Sequence, residues 1–274
     1  MNFSDWLRGF TYSPFFIDLA RFLHIRSLMG RMYYLFSLPS DKIKKISFEG
    51  IEAQFHINNY AELRCVEGTL AKGEHGEGLV LRRLIHTVQP GDVVYDIGSY
   101  IGVHAIFMAM KTGKKGHVIS FEPEADNYKN FERNVNINKL NHIILLRCAL
   151  GDSFGEGILY NVGTMATLIS HSSSSASFQK VKIVRGDDIV RNKNLPLPRI
   201  VKIDVEGYEY NVIRGLQTTL SNKTCQTVCC EVHPTMLPSD IKPQMVIELL
   251  KSIGFSQIEI YPHRYTWHTF CSKL

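Results

Sequence analysis

The stretch "VVYDIGSYIG", residues 93–102, places a carboxylate and two glycines at the end of an apolar run that is typical of a buried strand. Ligands of open parallel sheets bind beyond the carboxyl ends of the strands, which is where Asp96 lies. Gly98 permits a sharp turn, and Gly102 removes a side chain where the ligand or the strand must come close. A helical pattern follows, and its free N–H groups point into the same space. The spacing therefore predicts a cofactor-binding turn.

Two further acidic residues identify the cofactor that this turn is suited to. A dinucleotide turn would read GxGxxG, whereas this one reads Asp-x-Gly-x-x-x-Gly, and Asp96 would repel a pyrophosphate but suits a cationic ligand. Glu122 closes the second strand, where an acid can hold both ribose hydroxyls, and Asp152 in "CALGD" can accept a bond from an adenine amine. An adenosine joined to a positive charge describes S-adenosylmethionine. The predicted cofactor-binding residues are Asp96, Gly98, Ser99, Gly102, Glu122 and Asp152. The alternative is that each acid is only a helix cap or a turn residue.

Two other predicted strands carry charges that a buried strand should not have. In "IVKIDVEG" side chains alternate, so Lys202, Asp204 and Glu206 share one face. In "VCCEVHP" the same alternation puts Glu231 and His233 together at the end of the strand. Burying such charges unpaired costs several kcal/mol, so we expect these residues to be paired or functional.

The elements that position these residues alternate regularly from residue 92 onward. The predicted strands cover residues 92–97, 117–122, 143–149, 199–205 and 226–232, and the predicted helices cover 77–88, 103–110, 125–136 and 209–220. Short strand–helix–strand units imply parallel pairing in a sheet that is covered on both faces. Residues 46–57 and 256–272 each predict a hairpin, the second one antiparallel at the end of the sheet, and residues 171–177 predict a mobile loop.

The segments "VVYDIGSYIG", "VISFEPEADNYKNFERNV", "CALGD" and above all "IVKIDVEGYEYNVIRGL" resemble the FkbM family of S-adenosylmethionine-dependent methyltransferases. The resemblance covers about residues 77–260, and "KIDVEGYE" is its most specific part. It implies a Rossmann-like class I methyltransferase fold with a mostly parallel, seven-stranded sheet. It also implies O-methylation of a hydroxyl, often on a sugar or a secondary metabolite. Ser99-Tyr100 departs from the Ala-Asn usual in the family, which alters the rim of the pocket.

The resemblance also places the strands "IVKIDVEG" and "VCCEVHP" side by side, so their charged residues should converge beside the sulfonium. A hydroxyl is a poor nucleophile until its proton is removed, and this requires a base or a metal. The predicted catalytic residues are Asp204, His233, Glu231 and Lys202, with Asp204 or His233 as the base and no metal assigned. A buried Lys202–Glu231 ion pair and a hard-metal site remain alternatives, and Glu206 and Glu209 also suit the first turn of a helix.

Residues 1–75 predict an N-terminal helical cap or extension, and residues 76–274 the methyltransferase domain. Ile17, Leu19, Phe22, Leu23 and Leu28 follow roughly helical spacing. We interpret this segment as a cap packed on the main domain. The alternative is an amphipathic surface that makes peripheral contact with a membrane or a lipid-linked substrate.

Composition narrows the class of partner. The 274 residues are 45% hydrophobic with a net charge of +5, but the basic residues are dispersed, which argues against nucleic acid as a partner. Six cysteines without a CxxC pair argue against zinc and favour a reducing compartment. We find no signal peptide and no apolar run of roughly 20 residues, so we expect a cytoplasmic protein. The final Ser272-Lys273-Leu274 matches a peroxisomal signal, which we interpret as chance.

The function predicted from the sequence is therefore methyl transfer from S-adenosylmethionine to a hydroxyl acceptor. Two alternatives are a methyltransferase-like binding module without catalysis and, less favoured, a nucleotide-cofactor oxidoreductase. The sequence does not specify the acceptor or the oligomeric state.

Overall fold

The computed structural model describes residues 26–69, 76–162, 165–168 and 177–274 of the chain. Residues 1–25, which carry most of the predicted amphipathic stretch, and residues 171–176 of the predicted mobile loop lie outside the described residues. The chain divides into two compact units between Gly68 and Thr69.

The smaller unit contains two helices and a hairpin in its described part. Its elements are α1 (Arg26–Ser37), β1 (Ile43–Phe48), β2 (Ile51–His56) and α2 (Tyr60–Thr69). The antiparallel pairing of β1 with β2 confirms the hairpin predicted over residues 46–57. Tyr33 of α1 donates its hydroxyl hydrogen bond to Glu67 of α2, and Lys44 of β1 forms an ion pair with the same carboxylate at 3.0 Å. The Glu67 carboxylate therefore joins three elements of this unit.

The larger unit contains the predicted alternation of strands and helices. Its first half comprises α3 (Glu77–Thr87), β3 (Val93–Ile97), α4 (Val103–Thr112), β4 (His117–Phe121), α5 (Ala125–Ile137), β5 (Ile143–Leu146), β6 (Ala149–Gly151), β7 (Gly155–Val162), β8 (Met165–Thr167) and β9 (Ser177–Arg185). Its second half comprises α6 (Gly186–Asn192), β10 (Ile200–Ile203), α7 (Glu209–Gly215), α8 (Gln217–Ser221), β11 (Thr227–Val232), α9 (Pro243–Ser252), β12 (Gln257–His263) and β13 (Thr266–Ser272).

A seven-stranded sheet in the order β12-β13-β11-β10-β3-β4-β5 forms the centre of this unit. Strands β11, β10, β3, β4 and β5 pair in parallel, and β13 pairs antiparallel with both β11 and β12. The mostly parallel sheet and its antiparallel C-terminal hairpin are both confirmed. Its central strands are buried on both faces, which explains why their sequences read as continuous apolar runs.

The strand predicted over residues 143–149 is wrong in its second half. The chain turns at Arg147 and Cys148, where the Cys148 N–H donates to the Leu146 carbonyl at 3.1 Å. Strand β6 therefore leaves the large sheet and pairs in parallel with β9, in a four-stranded sheet of order β6-β9-β7-β8. The apolar pattern could not show this change of partner, because the residues of β5 and β6 are similarly apolar in sequence although β6 is the more buried strand.

The single helix predicted over residues 209–220 is also divided, into α7 and α8. Gly215 approaches the backbone of β6 so closely that a Cβ on it would lie 1.8 Å from the Gly151 carbonyl oxygen. Leu216 then leaves helical geometry, with φ −107° and ψ 14°. Asp187 accepts the N–H groups of Thr218 and Thr219 at the start of α8, at 2.9 and 2.8 Å. The second helix therefore has its own cap.

The register of the large sheet aligns its polar residues at one edge. Ile97 pairs with Ile203, Ile203 with Cys230, and Glu231 with His268. Gly98 directly follows β3 and Asp204 directly follows β10. Both therefore lie at the level of Glu231 in β11 and His268 in β13, along one edge of four neighbouring strands. No described helix is long and apolar enough to span a bilayer.

Candidate active site

The turn between β3 and α4 has the backbone geometry predicted from its glycines. Gly98 has φ +83° and Gly102 has φ +86°, a region that side chains with a Cβ disfavour. A Cβ on Gly98 would lie 1.7 Å from the Asp204 carbonyl oxygen, and one on Gly102 would lie 2.2 Å from the Phe131 ring. The backbone of Asp204, directly after β10, therefore approaches Gly98, and the Phe131 ring of α5 approaches Gly102. Ser99 stabilises the turn by donating from Oγ to the Asp96 carbonyl at 2.9 Å.

Asp96 is fully buried near the end of β3, and its carboxylate is unusual. Neither of its oxygens has a hydrogen-bond partner among the described residues. The nearest cation is the Lys202 ammonium, 3.9 Å from Oδ1. Burial raises the pKa of Asp96, and the ammonium opposes this shift. A buried polar group without a partner is rare in proteins, so this carboxylate is available to a donor that is not part of the chain.

Glu122, which follows β4, is tied to the same turn. One of its oxygens accepts the Tyr100 N–H at 2.8 Å, and the other accepts the Glu124 N–H at 2.9 Å. Burial raises the pKa of Glu122 to about 8, against the effect of these bonds. Oε2 keeps a second lone pair, and Oε1 is also 3.5 Å from the Asn127 amide nitrogen, which is longer than a usual N–H···O bond. The side chain can therefore still accept hydroxyl donors.

Asp152 is placed differently from the other two predicted acids. It lies after β6, and its Oδ2 is 3.3 Å from a guanidinium nitrogen of Arg214. Its Oδ1 is at 3.5 Å from the Asn211 amide nitrogen. About a fifth of the side chain is exposed, so an adenine amine could reach it, but in competition with these two partners.

Lys202 is the buried cation of the site. Its Nζ donates to Asp204 Oδ2 at 3.0 Å and lies 3.9 Å from Asp96, and it is 2% exposed. Burial alone would lower the pKa of this ammonium, but the carboxylates of Asp204 and Asp96 outweigh it and raise the pKa. Conversely, burial would raise the pKa of Asp204, and Lys202 and His233 together lower it. Within the described part of the chain, the ion-pair partners of Lys202 are these two aspartates, so the alternative Lys202–Glu231 pair is wrong.

His233 lies where the charged residues of the two strands converge, as predicted. Its Nε2 is 3.3 Å from Glu206 Oε2, 3.8 Å from Glu231 Oε1 and 3.9 Å from Asp204 Oδ1. Burial opposes the protonation of this ring, but Glu209 and the other carboxylates raise its pKa to about 9. Burial also raises the pKa of Glu206 to about 7.

Glu209 belongs to this group, although its sequence suggested only a favourable position in the first helical turn. It is fully buried, and its Oε1 is 2.7 Å from His233 Nδ1 and accepts the Gly207 N–H at 2.9 Å. The backbone turns with φ +50° at Glu206 and +99° at Gly207, so strand alternation does not continue through this segment. The glycine at 207 was the one indication of the turn that brings Glu209 back to His233.

Glu77, His104 and His268 also join the site, and none of them was singled out from the sequence. Glu77 begins α3, and its carboxyl contacts that of Glu231. His104 Nε2 lies 3.4 Å from Glu77 Oε2, and His268 Nδ1 lies 3.6 Å from Glu231 Oε2. Burial lowers the pKa of His268 to about 4 and also lowers that of His104, so both rings are neutral. No sequence motif contains these three residues, because they come from three elements that are distant in sequence.

Among the residues that the structure describes, two groups of three have the geometry to hold a metal ion. They are Asp204, Glu206 and His233, and Glu77, Glu231 and His268, with the ligand atoms of each group within 4.8 Å of one another. The first group has two partly exposed members and one buried member, and the second has one partly exposed member and two buried members. The site as a whole therefore combines a turn suited to a cationic ligand with an acid- and imidazole-rich wall.

Comparisons with known proteins agree with this geometry. Residues 96–256 match the family model described as the methyltransferase FkbM domain. Hexuronic acid methyltransferase AglP from Haloferax volcanii is 29% identical over 205 residues, which cover 75% of this chain and 80% of that protein.

Solved structures with similar topology include a SAM-dependent O-methyltransferase from Thermotoga maritima. It is 12% identical with a TM-score of 0.48, and the match covers 84% of this chain and 77% of that one. Another is a putative rRNA methylase from Clostridium thermocellum, which is 12% identical with a TM-score of 0.47 over 72% of this chain and 94% of that one.

The contact of Gly98 with β10 predicts an unusually large cost for adding a methyl group there. We expect Gly98→Ala to lower the free energy of unfolding by about 3–5 kcal/mol, from left-handed φ and overpacking together. Gly113→Ala is the matched control, because Gly113 has φ +64° and nothing within 4 Å of the added Cβ. It should cost only about 1–2 kcal/mol. Urea unfolding measures both, and equal losses would show that the approach to Asp204 is not a constraint.

Proposed function

The chain belongs to the FkbM methyltransferase family, and on that basis we propose that it transfers a methyl group from S-adenosylmethionine to a hydroxyl of a sugar or glycan. The match over residues 96–256 is the observation that carries the proposal. The relative AglP, a hexuronic acid methyltransferase, supports a sugar as the class of acceptor.

The cofactor turn fits S-adenosylmethionine better than a dinucleotide. The Asp96 carboxylate, whose oxygens have no hydrogen-bond partner among the described residues, suits the cationic end of this cofactor and would repel a pyrophosphate. Glu122 offers its remaining lone pairs to the two ribose hydroxyls, while the Tyr100 N–H holds the carboxylate in place. We assign the adenine amine to Asp152, where binding must compete with Arg214. These residues orient the cofactor in the same way before and during the reaction.

When bound, S-adenosylmethionine supplies the methyl group and leaves as S-adenosylhomocysteine. The acceptor oxygen forms the new bond to the methyl carbon as the bond from sulfur to that carbon breaks, and the hydroxyl proton passes to a base of the protein. Alignment of the two reactants and exclusion of water supply much of the rate in such a displacement. The protein therefore needs one well-placed proton acceptor beside the cofactor turn.

We assign that role to Asp204. Its main chain lies against Gly98, so its side chain stands next to the cofactor turn, whereas His233 lies on the neighbouring strand. Lys202 holds Oδ2 at 3.0 Å, which leaves Oδ1 as the proton acceptor, and the side chain is 22% exposed and accessible to an acceptor. Glu209 fixes the ring of His233 through Nδ1, so its Nε2 can orient the acceptor. Glu231 supports this wall from behind.

The experiment that tests this function is a turnover assay. The protein is incubated with S-adenosylmethionine and a panel of hexuronic acids, neutral sugars and non-sugar alcohols, and S-adenosylhomocysteine is quantified. We expect acceptor-dependent release with at least one of the sugars. Cofactor binding without release across the whole panel would instead support a binding module that has lost catalysis.

Removing the ribose-binding carboxylate should weaken cofactor binding more than catalysis. We expect Glu122→Ala to raise the cofactor KM roughly tenfold or more, because charge-assisted hydrogen bonds contribute about 1.5–3 kcal/mol each. The value of kcat should change little, since the ribose is held similarly in ground and transition states. Glu124→Ala is the control, because this neighbouring buried acid caps α5 by accepting the Asn127 N–H. A similar rise of KM in both variants would attribute the effect to damage in the loop.

Neutralising the proposed base should lower kcat while leaving cofactor binding nearly unchanged. Asp204→Asn keeps the shape but cannot accept the proton, so kcat should fall by about 10²–10⁴ while cofactor affinity stays within a few-fold. Thermal unfolding close to that of the parent protein is the control for folding. Normal turnover in Asp204→Asn together with an inactive His233→Ala would identify His233, and not Asp204, as the base. Normal turnover in both variants would reduce the converging residues to a structural network.

A further inference from the structure

The methyl-transfer mechanism leaves His268 without a role. The ring is 1% exposed, and neither of its nitrogens has a hydrogen-bond partner in the described part of the chain. The facing oxygen of Glu231, Oε2, also lacks one among the described residues. Buried polar atoms almost always have a partner, and their exceptions indicate an ion, a water or a functional group that the chain does not supply.

The geometry around His268 is that of a ligand set. Its Nδ1 lies 3.6 Å from Glu231 Oε2, and the two residues are direct cross-strand partners in β13 and β11. Glu77 reaches the same point from α3, and the three ligand atoms lie within 4.8 Å of one another. Two ligands at about 2.1 Å from one tetrahedral ion lie about 3.4 Å apart, so the observed separation needs little adjustment.

The charges of the pair Glu77 and Glu231 point to a cation in particular. Their carboxyl groups are in contact, with Glu231 buried and the Glu77 side chain 35% exposed. Two carboxylates in such contact repel each other unless a proton or a cation lies between them. Asp204 adds a further negative charge nearby, and the Lys202 ammonium is already engaged by the two aspartates.

We propose that Glu77, Glu231 and His268 bind one divalent transition-metal ion of the manganese, iron or zinc class. A set of two carboxylates and one imidazole suits these metals, whereas magnesium and calcium prefer oxygen ligands alone. His104, whose Nε2 is 3.4 Å from Glu77 Oε2, stands beside the site as a candidate fourth ligand. The proposal goes beyond methyl transfer and does not depend on it, because it concerns a cation held by three rigid elements.

The ion would influence His233 through Glu231, whose two oxygens face His268 and His233. Glu231 Oε2 faces His268, and its Oε1 is 3.8 Å from His233 Nε2. A metal bound to Glu231 would fix the orientation of this carboxylate and so the surroundings of His233. Glu231 is then a metal ligand and a positioning residue, which differs from the direct catalytic role predicted from the sequence.

The test uses the full-length wild-type protein stripped with a chelator and then freed of it. Calorimetric titration with zinc or manganese chloride should show one ion per chain, and magnesium chloride at the same concentration should bind far more weakly. Anomalous diffraction from crystals soaked with manganese should give one peak between Glu77, Glu231 and His268. No stoichiometric binding, or a peak at Asp204, Glu206 and His233, would overturn the proposal, and the diffraction result requires no variant to fold.

Two substitutions compare the ligand with a histidine elsewhere in the same sheet. His268→Gln should lower zinc affinity at least tenfold and abolish the rise in melting temperature that zinc gives to the wild type. His117→Gln is the matched control, because His117 is exposed at the start of β4, and it should bind zinc like the wild type. Unchanged affinity in a folded His268→Gln would contradict the assignment, as would equal losses in both variants.

Discussion

The buried ammonium of Lys202 is the interaction on which the rest of the site depends. It lies between Asp96 and Asp204, two carboxylates at the ends of neighbouring strands, and it is almost fully removed from water. Removing one partner of a buried ion pair is strongly destabilising, because the remaining charge is left uncompensated. The lysine therefore allows two acids to be buried where the cofactor and its acceptor would meet. Both oxygens of Asp96 lack a hydrogen-bond partner among the described residues, and we propose that they receive the cofactor and that Asp204 Oδ1 receives the proton of the acceptor.

The parallel sheet converts this local pairing into a functional surface. Because β3, β10, β11 and β13 are in register, residues at the same level of four strands line one edge of the sheet. Gly98 at this level lets β10 approach the turn, and Asp204, Glu231 and His268 add the acid and imidazole groups. The cofactor turn and the catalytic wall thus share a backbone contact. The proposed metal site lies next to this wall in the same row of strands, and Glu231 belongs to both.

Sequence reasoning succeeded where a local pattern has one physical meaning. Continuous apolar runs identified the central strands, and the glycines at 98 and 102 identified a turn whose positive φ values require them. It failed where two arrangements bury the same side chains. The run over residues 143–149 continues into a second sheet, and Gly215 ends α7 because of a backbone contact with β6 that no periodicity reveals. Alternation, with the strand order that the family resemblance implies, correctly brought Asp204, Glu231 and His233 together, but it did not find Glu209, Glu77 or His268. Their positions depend on a left-handed turn, on a helix outside the sheet and on the register of the last hairpin.

Calorimetric titration of the wild-type protein with S-adenosylmethionine, and separately with NAD, tests the central claim most directly. That claim is that carboxylates at the strand ends form a site for a cationic adenosine cofactor. Saturable binding of one S-adenosylmethionine per chain, with no measurable heat from NAD under the same conditions, is the predicted result. Binding of NAD, or the absence of S-adenosylmethionine binding by the folded protein, would contradict it.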